Sequence, residues 1–319
     1  MPDAVIRRIR DQVLRTGAAV AWAQWSALAT IAVPAGPRAR SLVDPEALLL
    51  LSLALRGRER RLDDVVMGWV RAASPLLSVQ RTLALVESFP AATREGIAVV
   101  ARVAAQAGDR RWRSHAEEPA GEDAPGRRKS VGAPRLAEPP ALVLRLRAGF
   151  GGGMRADLLA FLLALRGAEA SVSAMAGATG YSLSAVRAAA EEMVLGGFAH
   201  RVDGASPAAY CADHRAWAGV LGLRGAAATR GPDVPPWRHW SLIFAFLADV
   251  LAWADAAEAE GWSAYVASSR ARDMVEDHAR PLRTAKLRLP DPRAPGGAAF
   301  LEDLERGMAH VHDWCLEHL

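Results

Sequence analysis

The chain has 319 residues, of which 51% are hydrophobic, and it carries a formal net charge of +4. This length suffices for two or three domains, and the hydrophobic content is that of a globular protein, which excludes a largely disordered chain. Alanine, leucine and arginine are abundant, whereas aromatic residues make up only 6%. The composition therefore predicts a mainly α fold.

Three further features bear on the cellular compartment. The two cysteines do not make a disulfide framework. The N-terminal segment MPDAVIRRIRDQVLR lacks the apolar core and the small-residue cleavage site of a signal peptide. The most apolar run, residues 241–248, is shorter than the roughly 20 residues that a membrane span needs. We therefore expect a cytoplasmic protein without a membrane span.

Helical patterns predict an N-terminal helical domain over residues 1–108. Asp44 precedes Pro45, which places a capping residue directly before a proline at the first helical position. The run from Val33 to Pro37 contains two prolines and a glycine, which end the preceding helix. The predicted helices of this domain cover residues 3–31, 45–56, 62–73, 76–88 and 91–107.

Residues 62–88 of this domain contain a second candidate helix-turn-helix. In that interpretation Ser78, Gln80 and Arg81 are exposed on its second helix and face DNA. A plain helical hairpin packed around Trp69 explains the same residues. The sequence leaves both interpretations open.

Residues 109–140 differ in composition from the segments on either side. They are rich in charged residues, proline and glycine, and they contain almost no aliphatic residues. Such a segment cannot bury enough apolar surface to become ordered. We therefore predict a mobile linker over residues 109–140.

The most specific pattern lies between residues 154 and 213. It consists of a first helix at 154–165, a short second helix after Ser171, a glycine turn at 177–180, a third helix at 183–195, and two short strands at 198–202 and 208–211. Ser182 is placed to cap the third helix, because a serine oxygen accepts hydrogen bonds from the free amides of the first turn. Asp203 and Gly204 favour a tight turn between the two strands.

This order of segments resembles the winged helix-turn-helix regulators of the MarR/ArsR kind, within a domain over residues 141–223. The resemblance implies that the third helix enters the major groove of DNA and that the strand hairpin, the wing, touches the backbone or the minor groove. It places Ser182, Ser184, Ala185, Arg187, Ala188 and Glu191 on the DNA side of the third helix, and His200 and Arg201 at the wing. Arg187 is the expected donor to a base edge.

Charge in this region is a weak match to DNA. Residues 153–215 contain five Lys or Arg and six Asp or Glu, a net charge of −1. Because affinity for DNA comes largely from cations that meet phosphates, other basic segments would have to help. The candidates are Arg7 to Arg15, Arg127 to Arg147, and Arg155 at the N-terminus of the first helix, where free amides attract anions.

The C-terminal region, residues 236–319, is predicted to form a further helical domain. Its helices cover about 237–259, 262–279 and 298–318. The helix that begins at Trp237 carries more apolar residues than one face needs, so part of it is expected to meet a partner and to make this region a dimerisation surface. The alternative is a helix buried inside the core of one chain.

Four residues near the C-terminus raise the question of a metal site. They are His310, His312, Cys315 and His318. Imidazole and thiolate groups bind zinc, but Cys315 also belongs to an apolar stripe at helical spacing, so a core position explains it more simply. We therefore expect no metal and no cofactor. No motif of a known catalytic site is present, and we expect no catalytic residues and no enzymatic activity.

The sequence favours a sequence-specific regulator that binds double-stranded DNA as a homodimer, with two half-sites about one helical turn apart. The alternative is a non-enzymatic adaptor that uses the winged helix to bind a protein partner. An antitoxin or another component of bacterial phage defence would be such an adaptor. In that case the C-terminal region, which has a net charge of −3 over residues 216–319, would recruit a basic partner.

Overall fold

The computed structural model describes residues 2–29, 31, 36–116, 133–151, 153–223, 234–287 and 289–319. In these ranges the chain is mainly helical, as the composition predicts. The first helices are α1 (Pro2–Leu28), α2 (Pro45–Ala54), α3 (Arg60–Ala73), α4 (Val79–Val86) and α5 (Ala91–Gln106). The next are α6 (Leu142–Phe150), α7 (Met154–Ala164), α8 (Val172–Thr179), α9 (Leu183–Leu195) and α10 (His214–Val220). The last are α11 (Trp240–Ala259), α12 (Ala264–Thr284) and α13 (Ala298–His318).

Three predicted helix starts lie directly after residues whose side chains cap a helix. The Asp44 carboxylate accepts a hydrogen bond from the amide of Ala47 at 3.1 Å, so α2 begins at Pro45. Ser171 and Ser182 accept hydrogen bonds from amides of the first turn of α8 and α9. A side-chain oxygen satisfies an amide that the helix itself leaves free, which fixes the point where the helix starts.

The N-terminal and C-terminal helices share one hydrophobic core. Helices α1, α2, α3 and α5 contribute buried residues to the same cluster as α11, α12 and α13, and α1 packs directly on α11 and α13. Trp25 lies against Trp69 at 5.1 Å between ring centroids, and both rings are buried. The two regions that the sequence analysis separated therefore form one helical body. The reason is that each of these helices has an apolar face that only the others cover.

Residues 142–223 build a second core, which we call the small module. Helices α6 to α10 pack around three short strands: β1 (Ala170–Ser171), β2 (His200–Arg201) and β3 (Ala209–Cys211). The sheet is antiparallel with the order β1-β3-β2. The sequence analysis did not predict β1, α6 or α10.

The predicted linker, residues 109–140, is ordered at both ends. Residues Arg110–His115 form a 3-10 helix, in which the Trp112 side chain is fully buried. At the other end, the amide of Arg135 donates to the carbonyl of Leu28 at 2.9 Å. The prediction of a mobile linker is therefore wrong for these two ends, because each packs on the helical body. Residues 117–132 lie outside the described residues.

Helix α11 runs through the interior of the helical body. It begins at Trp240, three residues after the predicted start, and Ala259 at its last position is the one apolar residue of this helix that is exposed. Its neighbours are α1, α2 and α12. The prediction that part of this helix meets a partner is therefore wrong, because its apolar residues are covered within the chain.

By length and composition α11 could also cross a membrane, and among the described residues it is the one helix that passes this test. The expectation that its apolar run is too short therefore does not hold for the helix as a whole. Most of the run is buried in the protein, and a buried core helix passes the same test.

Candidate nucleic-acid interface

Helix α9 buries one face in the small module and exposes the other. Val186, Ala190 and Met193 point into the core. Of the residues predicted to face DNA, Ser182, Ser184, Arg187, Ala188 and Glu191 are exposed, and Ala185 is half-buried. His200, Arg201 and Arg155 are exposed as well. The predicted residues therefore lie on the accessible surface around α9.

A tight turn sets the direction of α9 relative to α8. Helix α8 ends at Gly180, whose φ of 77° lies in the left-handed region that favours glycine. Three residues later α9 starts behind the Ser182 cap. This turn leaves the first turn of α9 open to solvent.

Two of the basic residues predicted to contact DNA are paired with carboxylates of α9. The Arg155 guanidinium donates to Glu192 Oε2, with Nε at 2.7 Å, and Arg201 lies 3.6 Å from Glu191. Glu191 also accepts a hydrogen bond from the Tyr210 hydroxyl at 2.6 Å. Partial burial and this hydrogen bond raise the pKa of Tyr210.

Arg187 differs from these two cations. It is exposed, and the described part of the chain shows no hydrogen bond or ion pair to its guanidinium. All its donors are therefore free to bind an acceptor outside the protein. A guanidinium fork matches the two acceptors of guanine, O6 and N7.

Several arginines of the basic segments expected to help are paired within the chain. Arg8 pairs with Glu305 and Arg10 with Glu258, which attaches α1 to α13 and α11. Arg147 is fully buried, so it does not contact DNA. The part of its segment from 127 to 132 lies outside the described residues.

Arg147 belongs to a group of five buried charged residues, which we call the ion cluster. It consists of Asp44, Glu46, Arg81, Arg147 and Asp157, each at most 3% exposed. Arg147 binds Asp157 through Nε and Nη2 at 2.7 and 2.8 Å. It also donates from Nη1 to Glu46 at 2.5 Å. Arg81 binds Asp44 through both Nη atoms at 2.5 and 2.6 Å and reaches Glu46 at 2.7 Å.

The ion cluster attaches the small module to the helical body. Glu46 and Arg81 lie on α2 and α4, whereas Arg147 and Asp157 lie on α6 and α7. Burial alone would raise the pKa of Glu46, but the charges of Arg147 and Arg81 outweigh it and lower the pKa to about 2. Glu46 is therefore ionised at neutral pH, and it binds one arginine from each side of the junction.

Further hydrogen bonds at this junction involve Tyr181 and Thr179 of the small module and Ser78 and Arg81 of the helical body. The Tyr181 hydroxyl donates to Asp157 Oδ2 at 2.8 Å and lies 3.3 Å from Ser78 Oγ. Burial and the nearby Asp157 charge raise the pKa of Tyr181. Arg81 also donates from Nε to the carbonyl of Thr179, at the end of α8. The orientation of α8 and α9 is therefore fixed against the helical body.

Of the three side chains predicted to be exposed in the second candidate helix-turn-helix at residues 62–88, Gln80 is exposed, but Ser78 and Arg81 are not. Arg81 is 2% exposed, because it lies in the ion cluster. Ser78 is half-buried, with its amide bonded to Glu46. Trp69 is fully buried in the core. The helical-hairpin interpretation is the one that the structure supports.

A concave pocket of about 520 Å³ opens beside α9, and we call it the aromatic pocket. Phe150, Phe198 and Trp217 form one wall, with ring centroids 5.8 to 6.2 Å apart. Ala185 and Ala188 of α9 also line the pocket. The indole of Trp217 is held by a hydrogen bond to the carbonyl of Phe198 at 3.3 Å. The sequence analysis missed this pocket, because its walls come from four separate segments.

Of the four candidate metal ligands near the C-terminus, His310 is exposed and the other three have different surroundings. His312 Nδ1 lies 2.8 Å from Thr16 Oγ1, and His318 stacks on Trp314. Cys315 is fully buried in the core, where burial raises the pKa of its thiol to about 12. Among the described residues, no three His, Cys, Asp or Glu are grouped so that they could hold a metal ion.

We expect the two cysteines to differ in reactivity. At about pH 8 a disulfide reagent should modify the half-buried Cys211, and Cys315 at least about a hundredfold more slowly, because the thiolate is the reactive form. Release of the coloured thiolate measures both rates, with unfolded protein as the control for two accessible thiols. Rapid modification of a Cys211→Ser variant would contradict the placement of Cys315.

The surface around α9 thus combines an open first turn, one free guanidinium and an apolar pocket. The structure places all nine predicted residues on or beside this surface, but it neutralises Arg155 and Arg201. Comparisons with protein-family models, curated proteins and solved structures gave no significant match to this chain.

Proposed function

We propose that residues 141–223 form a winged helix-turn-helix that binds double-stranded DNA, and that the protein is a transcriptional regulator. The observation that carries this proposal is the element order of the small module. Helix α7 is followed by β1, α8, α9 and a β2-β3 hairpin, with the sheet order β1-β3-β2. In such an arrangement the helix before the hairpin enters the major groove.

The roles of the exposed residues follow from their chemistry. Arg187 would donate to a guanine, and the hydroxyls of Ser182 and Ser184 would bind phosphate at the N-terminus of α9. The small side chains of Ala185 and Ala188 permit close approach of the helix to the base edges. His200 and Arg201 would meet the backbone beside the groove.

The two glutamates of α9 make general affinity for DNA weak. Before Arg155 and Arg201 can bind phosphate, each must leave its carboxylate, and Glu191 and Glu192 also repel the phosphates. Binding to random sequence is therefore disfavoured more than binding to a site with the right base contacts. This supports a specific reader, and a homodimer on two half-sites would add the affinity that one module lacks.

The double substitution Glu191→Gln and Glu192→Gln tests this proposal. It should raise affinity for mixed duplex DNA by about tenfold or more near 0.1 M salt, since it frees two cations and removes two repelling charges. The plot of log affinity against log salt should become steeper by about 2. Fluorescence anisotropy of a labelled duplex measures both quantities.

The matched control is Glu95→Gln with Glu276→Gln, which makes the same charge change at exposed positions of the helical body. It should leave both quantities nearly unchanged. An equal gain in affinity for DNA in this control would show that the effect comes from the net charge of the protein and not from the position of the two glutamates. No gain in the α9 variant, together with no binding by the native protein, would contradict DNA binding.

A protein adaptor is the second candidate function, and one observation favours it. Phe150 and Phe198 are 56% and 44% exposed, and Glu192 of α9 lines the same pocket. Exposed aromatic side chains with charged neighbours are typical of protein interfaces. Failure of all DNA measurements with a correctly folded protein would make the adaptor the better proposal.

A further inference from the structure

We propose that a cleft beyond the C-terminal end of α7 binds a small phosphomonoester through its phosphate group. The cleft has a volume of about 440 Å³, which lies within the range of small-molecule sites. The aromatic pocket lies at the other end of α7, and among the described residues that line the cleft, none is one of the nine predicted to contact DNA. The proposal therefore does not depend on DNA binding by this protein.

Three arginines from separate parts of the chain line this cleft, which we call the arginine cleft. Arg40 lies before α2, Arg166 lies just after α7, and Arg238 lies just before α11. Arg166 donates from Nε and Nη2 to the carbonyl of Val234 at 3.1 and 2.9 Å, which holds the segment before Arg238 against the end of α7. Within the described ranges of the chain, the side chains of Arg40 and Arg238 form no hydrogen bond or ion pair. Two guanidiniums are thus free to bind a ligand.

Arg238 is the residue whose surroundings most require an anion. Its Nε is buried and, among the described residues, meets no acceptor. Burial and the positive charge of Arg166 lower the pKa of Arg238. A buried donor without an acceptor and a pair of neighbouring like charges both cost free energy, and a bound anion offsets both costs.

The acceptors of the protein that line the arginine cleft do not neutralise these cations. Glu138 is already paired with an arginine that does not line the cleft. An oxygen of Leu319 already accepts two backbone amides at 2.5 and 2.6 Å. Glu317 is exposed, and its attraction for Arg238 is weaker than the repulsion from Arg166. The cleft therefore retains an excess of positive charge.

The number of donors and the remaining walls indicate the chemical class of the ligand. A guanidinium can donate two parallel hydrogen bonds to one anion, and three guanidiniums match three oxygens better than the two of a carboxylate. A phosphomonoester has three terminal oxygens and about −1.5 to −2 charges at pH 7. Apolar rings suit the organic part of such an ester, and four prolines line the cleft: Pro139, Pro140, Pro235 and Pro236.

Isothermal titration calorimetry of the whole chain with phenyl phosphate tests the site, and phenol is the uncharged counterpart. We expect one phenyl phosphate to bind per chain and phenol to bind at least about tenfold more weakly. Arg238→Gln removes a charge and two donors, so it should weaken the binding of phenyl phosphate by at least about tenfold. Arg280→Gln makes the same change at an exposed position of α12 and should bind as the native protein does.

Glu317→Gln should change the affinity in the opposite direction. It removes a negative charge from the lining of the arginine cleft, so phenyl phosphate should bind about two- to fivefold more tightly. Glu276→Gln, at an exposed position of α12, is the control and should leave the affinity unchanged. Because Glu317 is exposed, this variant tests the site even where Arg238→Gln does not fold.

Four outcomes would overturn the proposal. The first is that the folded native protein binds no phenyl phosphate. The second is that affinity is unchanged in Glu317→Gln and in Arg238→Gln, with circular dichroism showing both folded. Equal affinity for inorganic phosphate and phenyl phosphate would remove the role of the organic part and identify the ligand as the free ion. Loss of duplex DNA binding in Arg238→Gln, without any binding of phenyl phosphate by the native protein, would assign the cleft to the DNA backbone instead.

Discussion

Replacement of Arg147 by methionine should lower the free energy of unfolding by about 3 to 5 kcal/mol at neutral pH. Methionine keeps much of the apolar volume but removes the charge, so Glu46 and Asp157 lose the partner that binds them both. Asp157 then keeps the Tyr181 hydroxyl and Glu46 keeps Arg81, but both buried carboxylates are less well compensated, and this, rather than lost packing, dominates the effect. Urea unfolding followed by far-ultraviolet circular dichroism measures the difference.

The pH dependence of this effect identifies its cause. The pKa of Glu46 lies at about 2, below its ordinary value of 4.5, so its contribution to stability is complete above about pH 4.5 and is lost as the pH falls toward 2. In the variant, one of the two arginines that lower the pKa of Glu46 is missing, so burial raises this pKa and Glu46 takes up a proton more readily. The stability difference between the two proteins should therefore be largest near pH 7 and shrink toward pH 4.

Arg155→Met provides the matched control for Arg147→Met. Its ion pair with Glu192 is exposed on both sides, so its loss should change stability by less than about 1 kcal/mol. A similar small loss for Arg147→Met, or a loss that does not vary between pH 4 and 7, would contradict a decisive role for the ion cluster.

The sequence predicts helix starts well wherever a local capping residue fixes them. The predicted third helix of the small module covers 183–195, which are the bounds of α9, because Ser182 and Gly196 act on their immediate neighbours. Similarly, the glycine before Ala298 ends a loop, and α13 has the predicted bounds 298–318. Caps and turns depend on residues a few positions apart, so they can be predicted from a single sequence.

Partners that are distant in the chain explain what the sequence did not predict. Arg81 and Arg147 look like surface cations, since the carboxylates of Asp44 and Glu46 that bind them lie 35 to 101 residues away; Asp157, the other partner of Arg147, lies 10 residues away. One local signal was available: Glu46 stands in the otherwise apolar helix PEALLLLSLA, which has no solvated face for it. A charge in such a helix requires a buried partner. The same limit applies to α11, whose apolar surface is covered by helices from both ends of the chain.

Truncation of Arg187 to alanine should weaken binding to a selected duplex site by about 1 to 3 kcal/mol and relax the preference at one base pair. The proposal gives Arg187 two hydrogen bonds to a guanine, and its guanidinium has no partner in the described part of the chain that could hold it back. Arg187→Lys keeps the positive charge but lacks the planar fork, so it should lose most of the same discrimination. Anisotropy titrations on the selected site and on a scrambled duplex measure affinity and preference together.

Arg201→Ala supplies the contrast within the same surface. Arg201 lies on β2 beside Glu191, and the proposal gives it a phosphate rather than a base. Its truncation should weaken the selected and the scrambled duplex by similar factors and reduce the salt dependence by about one phosphate contact. If Arg187→Ala behaves in the same way as Arg201→Ala, Arg187 binds only the backbone, and the base contacts must come from elsewhere on α9. If Arg187→Ala changes the affinity for neither duplex, α9 does not enter the groove. Its exposed face, with the neighbouring aromatic side chains, is then better explained as a surface for a protein partner.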